Sequence, residues 1–240
     1  MTTAIIIPAR YGSTRLPGKP LIEVQNKPII QWVYEKASKT KLASKVIVAT
    51  DDERIFSTVR AFGGEVEMTS PHHASGSDRI FEVMQKYPEI QVAVNVQGDE
   101  PLIKPESIDI AISALMADND ASLSTLAREI SLEDAQNPNV VKVVFDNSKN
   151  ALYFSRSLIP YPRNKEKSAI YGHIGLYAYK KEALSKMTSL PQSSLELAES
   201  LEQLRALQNG MKIKVEVVDY NPIGIDTAED VENFKKMVKL

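Results

Sequence analysis

Apolar and polar positions alternate with two different periods along this chain. Short runs rich in β-branched residues are typical of buried strands. These runs lie at 4–7, 45–49, 92–96 and 213–218. Between them are segments with the three-to-four-residue spacing of amphipathic helices. Those segments lie at 28–39, 52–62, 77–87 and 105–117. Repeated strand–helix–strand units predict an α/β fold with a mainly parallel, doubly wound sheet, which binds ligands at the carboxyl ends of its strands.

The pattern changes after about residue 121. Two apolar runs within 140–154 flank the polar turn at 146–150, which predicts an antiparallel hairpin. A further strand is expected at 174–179. We therefore expect one domain over 1–240, a nucleotide-binding sheet with a small antiparallel insertion at about 121–180.

Two helices are predicted in the last quarter of the chain. The first covers 195–208, with Gly210 just past its end and a buried leucine stripe formed by Leu197, Leu201 and Leu204. The last helix begins at a capping-box-like sequence, 227–230, and its inward positions are Val231, Phe234 and Val238.

Composition and charge narrow the class of protein. Hydrophobic residues make up 43% of the 240 positions and charged residues 25%, which is typical of a globular chain with a core. The formal net charge of −2 disfavours a large nucleic-acid-binding surface. No cysteine is present, which excludes disulfides, thiolate zinc sites and a cysteine nucleophile and fits a reducing cytosol. No apolar run approaches the roughly 18 residues of a membrane span, so we expect a cytoplasmic enzyme with no membrane partner.

A basic, glycine-containing loop follows the first strand. Arg10, Arg15 and Lys19 alternate with Gly12 and Gly18 at what should be the carboxyl end of the sheet. Glycine lets a backbone approach a ligand closely, and arginine and lysine neutralise phosphate charge. The loop therefore favours a triphosphate as ligand, with an ordinary solvated loop of scattered charges as the alternative.

Two well-known phosphate motifs do not fit this loop. A Walker A loop has four residues between its glycines, whereas five separate Gly12 from Gly18, and Pro20 stands where the magnesium-binding hydroxyl belongs. The dinucleotide fingerprint G-x-G-x-x-G is also missing. Kinases of the P-loop type and NAD enzymes are therefore disfavoured.

Two carboxylates are expected at the same edge of the sheet. The strand at 92–96 runs into Gly98 and Asp99, and Pro101 blocks its continuation. Asp226 comes just before the final helix. Because Mg2+ prefers one or two carboxylates together with phosphate oxygens and water, Asp99 and Asp226 are candidate ligands of one ion beside a triphosphate. Each has an ordinary alternative, an exposed turn for Asp99 and a helix cap for Asp226.

The chain resembles the 3-deoxy-manno-octulosonate cytidylyltransferases, or CMP-Kdo synthetases, over nearly its whole length. The resemblance is carried by eight ordered blocks. They are Ile-Ile-Pro-Ala-Arg-Tyr-Gly-Ser-Thr-Arg-Leu-Pro-Gly-Lys-Pro-Leu at 6–21, Val-Ala-Thr-Asp at 48–51, Ser-Gly-Ser-Asp-Arg at 75–79, Asn-Val-Gln-Gly-Asp-Glu-Pro at 95–101, Asn-Pro-Asn-Val-Val-Lys-Val-Val at 137–144, Ala-Leu-Tyr-Phe-Ser-Arg at 151–156, Leu-Glu-Gln-Leu-Arg at 201–205 and Asp-Thr-Ala-Glu-Asp at 226–230.

The resemblance implies a nucleotide-diphospho-sugar transferase-like fold and a Mg2+-dependent reaction. CTP would give CMP to the anomeric hydroxyl of Kdo for lipopolysaccharide synthesis, and pyrophosphate would leave. By this resemblance, the catalytic residues are Arg10, Arg15, Lys19, Asp99 and Asp226. The nucleotide-binding residues are Ala9, Arg10, Ser13, Lys19, Ser75, Gly76, Arg79, Gln97 and Asp99. The sugar-acid-binding residues are Arg156, His173, Tyr177, Glu199, Glu202 and Gln203. A homodimer is also implied.

Departures from the family pattern cluster on the acceptor side. Gly172 stands where a basic residue is common, and Lys180 replaces a frequent arginine. Kdo, its 8-amino analogue and another sugar acid therefore all stay open as acceptors. Two other classes also stay open: a GT-A-like glycosyltransferase, although Gly-Asp-Glu-Pro stands in place of its Asp-x-Asp, and a non-catalytic nucleotide sensor.

Overall fold

A computed structural model of the chain describes residues 2–12, 15–164 and 169–238. The predicted nucleotide ligand Ser13 lies outside the described residues. The chain forms two compact units, one made of Met1–Asp109 with Pro222–Leu240 and the other of Ile110–Asn221. The single domain with an insertion at about 121–180 stays a prediction.

The first unit is built on a parallel sheet. Its strands, numbered in chain order, are β1 (Thr2–Ala9), β2 (Glu23–Val24), β3 (Lys27–Pro28), β4 (Lys45–Thr50), β5 (Glu65–Met68) and β6 (Ile90–Asn95). Its helices are α1 (Ile29–Ala37), α2 (Glu53–Ala61), α3 (Gly76–Lys86), α4 (Pro105–Ala117), within which the division between the units falls, and α9 (Ala228–Met237).

The sheet of this unit has the strand order β6-β1-β4-β5, and all three pairings are parallel. Ile5 of β1 lies opposite Val46 and Val94 of the neighbouring strands. Residues 3–7 are buried in succession, which is the pattern of a central strand covered on both faces. The predicted mainly parallel α/β sheet is confirmed, and the four predicted helices lie within two residues of their expected ends.

The second unit contains the antiparallel strands. Its elements are β7 (Leu123–Ile130), α5 (Leu132–Gln136), β8 (Lys142–Phe145), β9 (Ala151–Ser155), β10 (Ile170–Lys180), α6 (Lys181–Ser189), α7 (Ser194–Glu199), α8 (Gln203–Gln208) and β11 (Ile213–Val217). β10 pairs antiparallel with β7 and β8, and β8 pairs antiparallel with β9. β11 pairs parallel with β7. The predicted hairpin is confirmed: the Asp146 amide donates to Asn150 O at 2.9 Å across its turn.

The continuous helix predicted over 195–208 is wrong. α7 ends at Glu199, Ser200 adopts the left-handed conformation with φ of 51°, and a new helix, α8, begins at Gln203. Leu197, expected on the buried stripe, is 61% exposed, whereas Leu201 and Leu204 are buried. The same leucine spacing fits two short helices as well as one long helix, because the spacing carries no information about the helix break at Ser200.

A hydrophobic cluster fixes the C-terminal helix α9 within the first unit. Val231 and Phe234 of α9 pack with Val24, Ile29 and Ile225. Phe234 is fully buried, and its ring meets Trp32 edge-on at a centroid distance of 5.5 Å. The predicted cap is confirmed, since the Thr227 hydroxyl accepts from the Asp230 amide in a capping box. The residues just before α9, including Asp226, are thereby held in place.

Within the described ranges, no helix combines the length and apolar character that crossing a bilayer would need.

Replacing Phe234 by alanine should lower the free energy of unfolding by about 3–5 kcal/mol, because a fully buried aromatic ring leaves a cavity. Urea unfolding followed by circular dichroism measures this. Met237→Ala is the control on the same helix: that side chain is 46% exposed, and its loss should change stability by no more than about 0.5 kcal/mol. Equal effects of the two substitutions would show that the cluster does not hold α9.

Candidate active site

The carboxyl edge of the parallel sheet gathers the loops that carry the predicted nucleotide site. β1 ends at Ala9 and β6 ends at Asn95, and because the two strands are parallel neighbours, the segments that follow them emerge side by side. The basic loop follows β1, and Gly98 and Asp99 follow β6. Gly98 lies so close to β1 that a Cβ atom there would come within 2.9 Å of Pro8 O, so only glycine fits this turn.

Lys19 joins the two predicted metal-binding aspartates. Its Nζ lies 2.5 Å from Asp99 Oδ2 and 3.1 Å from Asp226 Oδ1. Arg15 Nη2 lies 3.1 Å from Asp226 Oδ2. Lys19 and Asp226, which are 207 positions apart in sequence, therefore meet in one charged cluster with Asp99 and Arg15. The alternative in which Asp226 only caps α9 is not what the structure shows, because Thr227 is the capping residue.

A backbone hydrogen bond fixes the spacing of the two carboxylates. The amide of Ile225 donates to Asp99 O at 2.9 Å, which ties the turn after β6 to the segment before α9. Asp230 Oδ2 accepts from the Asp226 amide at 3.0 Å and from the Thr227 amide at 2.8 Å. The backbone around both aspartates is thus held by the Ile225 amide and by the Asp230 carboxylate, without the help of the Asp99 and Asp226 side chains.

The basic loop is fastened to the unit by an aromatic ring. Gly18 has a φ of +70°, and its amide donates to Tyr11 O at 2.9 Å, which closes the loop on itself. A Cβ atom at Gly18 would lie 3.0 Å from the Tyr11 ring, and the Arg54 guanidinium stacks on that ring at 3.3 Å from its centroid. Tyr11 and Arg54 were not singled out from the sequence, although Tyr11 belongs to the first resemblance block.

An open cleft of about 460 Å3 lies in front of this cluster, within the size range of small-molecule pockets. Eight of the predicted residues line it: Ala9, Arg10, Arg15, Lys19, Gly76, Gln97, Asp99 and Asp226. Arg10 is anchored beside it by donating from Nη2 to His73 O at 2.6 Å. The cations of the basic loop and the carboxylates of Asp99 and Asp226 therefore line the same cleft.

Among the described residues lining this cleft, neither Ser75 nor Arg79 occurs. Ser75 caps α3, and its hydroxyl accepts from the Asp78 amide at 3.2 Å. Arg79 is fully buried: Nη2 pairs with Asp51 at 2.7 Å, and Nη1 donates to the Thr69 hydroxyl. The side chain of Arg79 thus links the ends of β4 and β5, and its assignment to the nucleotide stays a prediction.

The predicted acceptor residues all belong to the second unit, and two of them are brought together by a bulge in β10. The register of β10 against β7 shifts between Ile174 and Tyr177, and at the irregularity Thr125 Oγ1 lies 2.8 Å from Leu176 O and 3.1 Å from Ile174 O. The rings of His173 and Tyr177 lie 5.3 Å apart as a result. The Tyr177 side chain is buried, and its hydroxyl has no hydrogen-bond partner among the described residues.

The surroundings keep both rings neutral. His173 Nε2 is 2.9 Å from the Thr125 hydroxyl, and burial lowers the pKa of His173 to about 3. Burial also raises the pKa of Tyr177 well above its usual value of 10. His173 and Tyr177 are therefore suited to hydrogen bonding with neutral groups rather than to ion pairing.

Arg156 and Glu199 are tied to each other and to nearby carbonyls. Arg156 Nε donates to Glu199 O at 2.7 Å and Nη1 to Pro138 O at 3.1 Å. The Glu199 carboxylate accepts from the Ser155 hydroxyl at 2.6 Å and the Arg156 amide at 2.9 Å. Burial alone would raise the pKa of Glu199, but these hydrogen bonds and the nearby cations Arg156 and Lys142 lower it below its usual value.

A continuous helix over 195–208 would place Glu199 and Gln203, four residues apart, on one face, but the chain leaves the helix between them at Ser200. Glu199 is the last residue of α7, Glu202 precedes α8, and Gln203 is its buried first residue. Their roles at the sugar acid stay predictions.

A buried lysine that the sequence did not single out supports this region. Lys142 is fully buried and donates to Val140 O at 2.7 Å, to Asn137 O at 3.2 Å and to Arg156 O. Burial lowers the pKa of Lys142. The sequence did contain a signal for this role, because Lys142 interrupts the apolar run 140–144. A lysine within a buried strand is rare and usually has a structural reason.

Comparison with known proteins agrees with this geometry. The family model described as cytidylyltransferase matches residues 4–213. The 3-deoxy-manno-octulosonate cytidylyltransferase of Thermodesulfovibrio yellowstonii is 52% identical over 98% of each chain, and that of Parabacteroides distasonis is 51% identical over 95% of this chain and 94% of the relative. A solved structure of CMP:2-keto-3-deoxy-manno-octonic acid synthetase complexed with CTP is 44% identical, with a TM-score of 0.96, covering 100% of this chain and 99% of that one.

The glycosyltransferase and nucleotide-sensor interpretations find no support in these relatives. Because the family model spans most of the sequence and relatives of about half identity align with nearly all of it, the chain belongs to the cytidylyltransferase family, among the 3-deoxy-manno-octulosonate cytidylyltransferases.

Proposed function

We propose that this protein transfers CMP from CTP to the anomeric hydroxyl of 3-deoxy-manno-octulosonate and releases pyrophosphate. The observation that carries the proposal is the meeting of Lys19 with Asp99 and Asp226 in a cleft lined by the basic loop. Family membership supplies the identity of the nucleotide and of the sugar acid.

The basic loop binds the triphosphate. Arg10, Arg15 and Lys19 line one cleft, and each of them offers several N–H donors to phosphate oxygens. In the transfer, the sugar hydroxyl oxygen forms a bond to the α-phosphorus of CTP, and the bond from that phosphorus to the bridging oxygen of the pyrophosphate breaks. The cations hold the leaving pyrophosphate, on which negative charge accumulates, and the hydroxyl proton passes to solvent. Catalysis by this chain then rests on positioning and charge neutralisation.

The paired aspartates are suited to Mg2+. Among the described residues, no group of three or more histidine, aspartate or glutamate side chains is arranged around a metal position. Mg2+ does not need such a cage, since one or two carboxylates with substrate phosphates and waters complete its shell. Asp99 and Asp226 would hold the ion, which would neutralise phosphate charge and make the sugar hydroxyl more acidic.

The acceptor is assigned to the second unit. Arg156 has a planar fork that matches a carboxylate, and the neutral His173 and the buried Tyr177 hydroxyl are hydrogen-bonding groups for sugar hydroxyls.

The cytoplasm is the proposed compartment, which agrees with the lack of cysteine. The homodimer stays a prediction, which the mass in solution by light scattering would test.

The direct test is pyrophosphate release from CTP, Mg2+ and 3-deoxy-manno-octulosonate by the purified protein. We expect turnover that depends on all three components and a CMP-sugar product detectable by mass spectrometry. The 8-amino analogue is assayed alongside, because the acceptor-side departures Gly172 and Lys180 left it open. Absence of turnover with every 3-deoxy-octulosonate tested would contradict the proposal.

Asp99→Asn and Asp226→Asn should each lower kcat/KM by at least about 100-fold, because each removes a negative charge that holds the divalent ion at the phosphates. Steady-state pyrophosphate release measures the loss. Asp109→Asn is the matched control: Asp109 lies in the same unit and accepts from the Lys41 and Leu42 amides, so its loss should leave kcat/KM within about twofold. Similar losses in all three variants would indicate a general effect on folding.

His173 should make stability fall as the pH is lowered. Its pKa is about 3 in the folded protein against an ordinary value of 6.5. Between these values the unfolded chain binds a proton that the folded protein does not, so the free energy of unfolding decreases as the pH falls through this window. Urea unfolding at about pH 7 and pH 4.5 should show a smaller loss for His173→Asn than for the wild type. The exposed His72→Asn is the control, and an identical loss in wild type and His173→Asn would contradict the assignment.

A further inference from the structure

Lys19 occupies the position between the carboxylates that a divalent ion would need. Its Nζ contacts Asp99 Oδ2 and Asp226 Oδ1, and Arg15 contacts the other oxygen of Asp226. The Lys19 side chain is only 13% exposed, whereas that of Arg15 is 66% exposed. Lys19 is therefore the embedded cation of the cluster, and Arg15 lies at its rim.

The charges of this cluster cancel. Two aspartates carry two negative charges, and Lys19 and Arg15 carry two positive ones. A divalent ion approaching the aspartates alone meets little net attraction, and it must also replace the Lys19 hydrogen bonds to both carboxylates. The paired aspartates should for this reason be a weak metal site while Lys19 is bound to them.

The movable part of the cluster is the ammonium group. The backbone of Lys19 is held in a 3-10 turn, Lys19–Leu21, in which Pro20 is buried, and the aspartate backbones are joined by the Ile225 hydrogen bond. The lysine side chain, in contrast, has four flexible carbons and three donors that can turn to a new acceptor. The phosphate oxygens of a nucleotide in the same cleft are charged acceptors, and together they carry several negative charges.

We propose that Lys19 is a resident counter-ion that makes metal binding depend on nucleotide binding. When the triphosphate enters, the ammonium moves to phosphate oxygens, the carboxylates are released, and the added negative charge creates the attraction for the divalent ion. This inference rests on the proposed function, because it takes the triphosphate and the divalent ion as ligands of this cleft.

The test measures metal binding to the full chain without nucleotide. Mn2+ is titrated alone, and the unbound ion is followed by electron paramagnetic resonance. We expect weak binding to the wild type and at least about tenfold tighter binding to Lys19→Met, in which the competing charge is gone while the side chain is only one atom shorter. Lys19→Arg, which keeps the charge, should bind Mn2+ as weakly as the wild type. Arg15→Met should give a smaller gain, because Arg15 contacts only one of the aspartates.

In a second measurement, the affinity for CTP should change in the opposite direction to the affinity for Mn2+. CTP binding is measured by calorimetry in the presence of EDTA, where Lys19→Met should bind CTP more weakly because a phosphate donor is lost. Lys27→Met is the matched control for both titrations, since Lys27 lies in the same unit and pairs with Glu35 at 2.7 Å. It should change neither affinity. Circular dichroism melting establishes that each variant is folded.

Two results would overturn the proposal: tight Mn2+ binding by the wild type without nucleotide, or no gain in Lys19→Met when that variant is folded. Failure of the proposed function can be distinguished from failure of this inference about Lys19. It would appear as no pyrophosphate release with CTP and the sugar acid, whereas the Mn2+ titration without nucleotide requires neither substrate.

Discussion

The contact on which this site depends is the ammonium group of Lys19 placed between the carboxylates of Asp99 and Asp226. These residues follow β1, follow β6 and precede α9, so the cluster exists only when three separate parts of the first unit are in place. Removing the lysine would leave two carboxylates close together without their shared partner. Removing either aspartate would leave the ammonium group with a single carboxylate partner. The charged cluster, and with it the proposed binding of phosphate and metal, therefore depends on the correct arrangement of the sheet edge.

The rest of the first unit supplies rigidity around this contact. The Gly98 turn fits directly against β1, and the Ile225 amide ties the two aspartate-bearing segments together. The ring of Tyr11, held between Gly18 and Arg54, fastens the basic loop. Main-chain hydrogen bonds and packing fix the backbone, while long cationic side chains remain able to change partners. A fixed backbone with movable cationic side chains suits phosphoryl-type transfer, which depends on charges held in position around the phosphates.

The part of the second unit that we propose for the acceptor is stabilised in a different way. There, burial favours the neutral forms of His173 and Tyr177, the buried Lys142 donates to backbone carbonyls, and the Glu199 carboxylate accepts from the Arg156 amide. Lys142 and Glu199 both fix the chain around Arg156, one through its carbonyl and the other through its amide. Neutral hydrogen-bonding groups and an arginine are what the proposed ligand, a sugar acid with many hydroxyls and a single carboxylate, would need.

The sequence by itself determined the parallel sheet, the hairpin, the cap of the last helix and the residues that meet at Lys19, because strand periodicity, turn chemistry and loop charge are local signals. The tertiary structure alone decided the break at Ser200, the bulge that joins His173 to Tyr177, and the burial of Arg79 between Asp51 and Thr69. Leucine spacing cannot distinguish one long helix from two short ones. A bulge leaves no periodic trace, and the pKa of a histidine is set by neighbours that the fold brings from elsewhere in the chain.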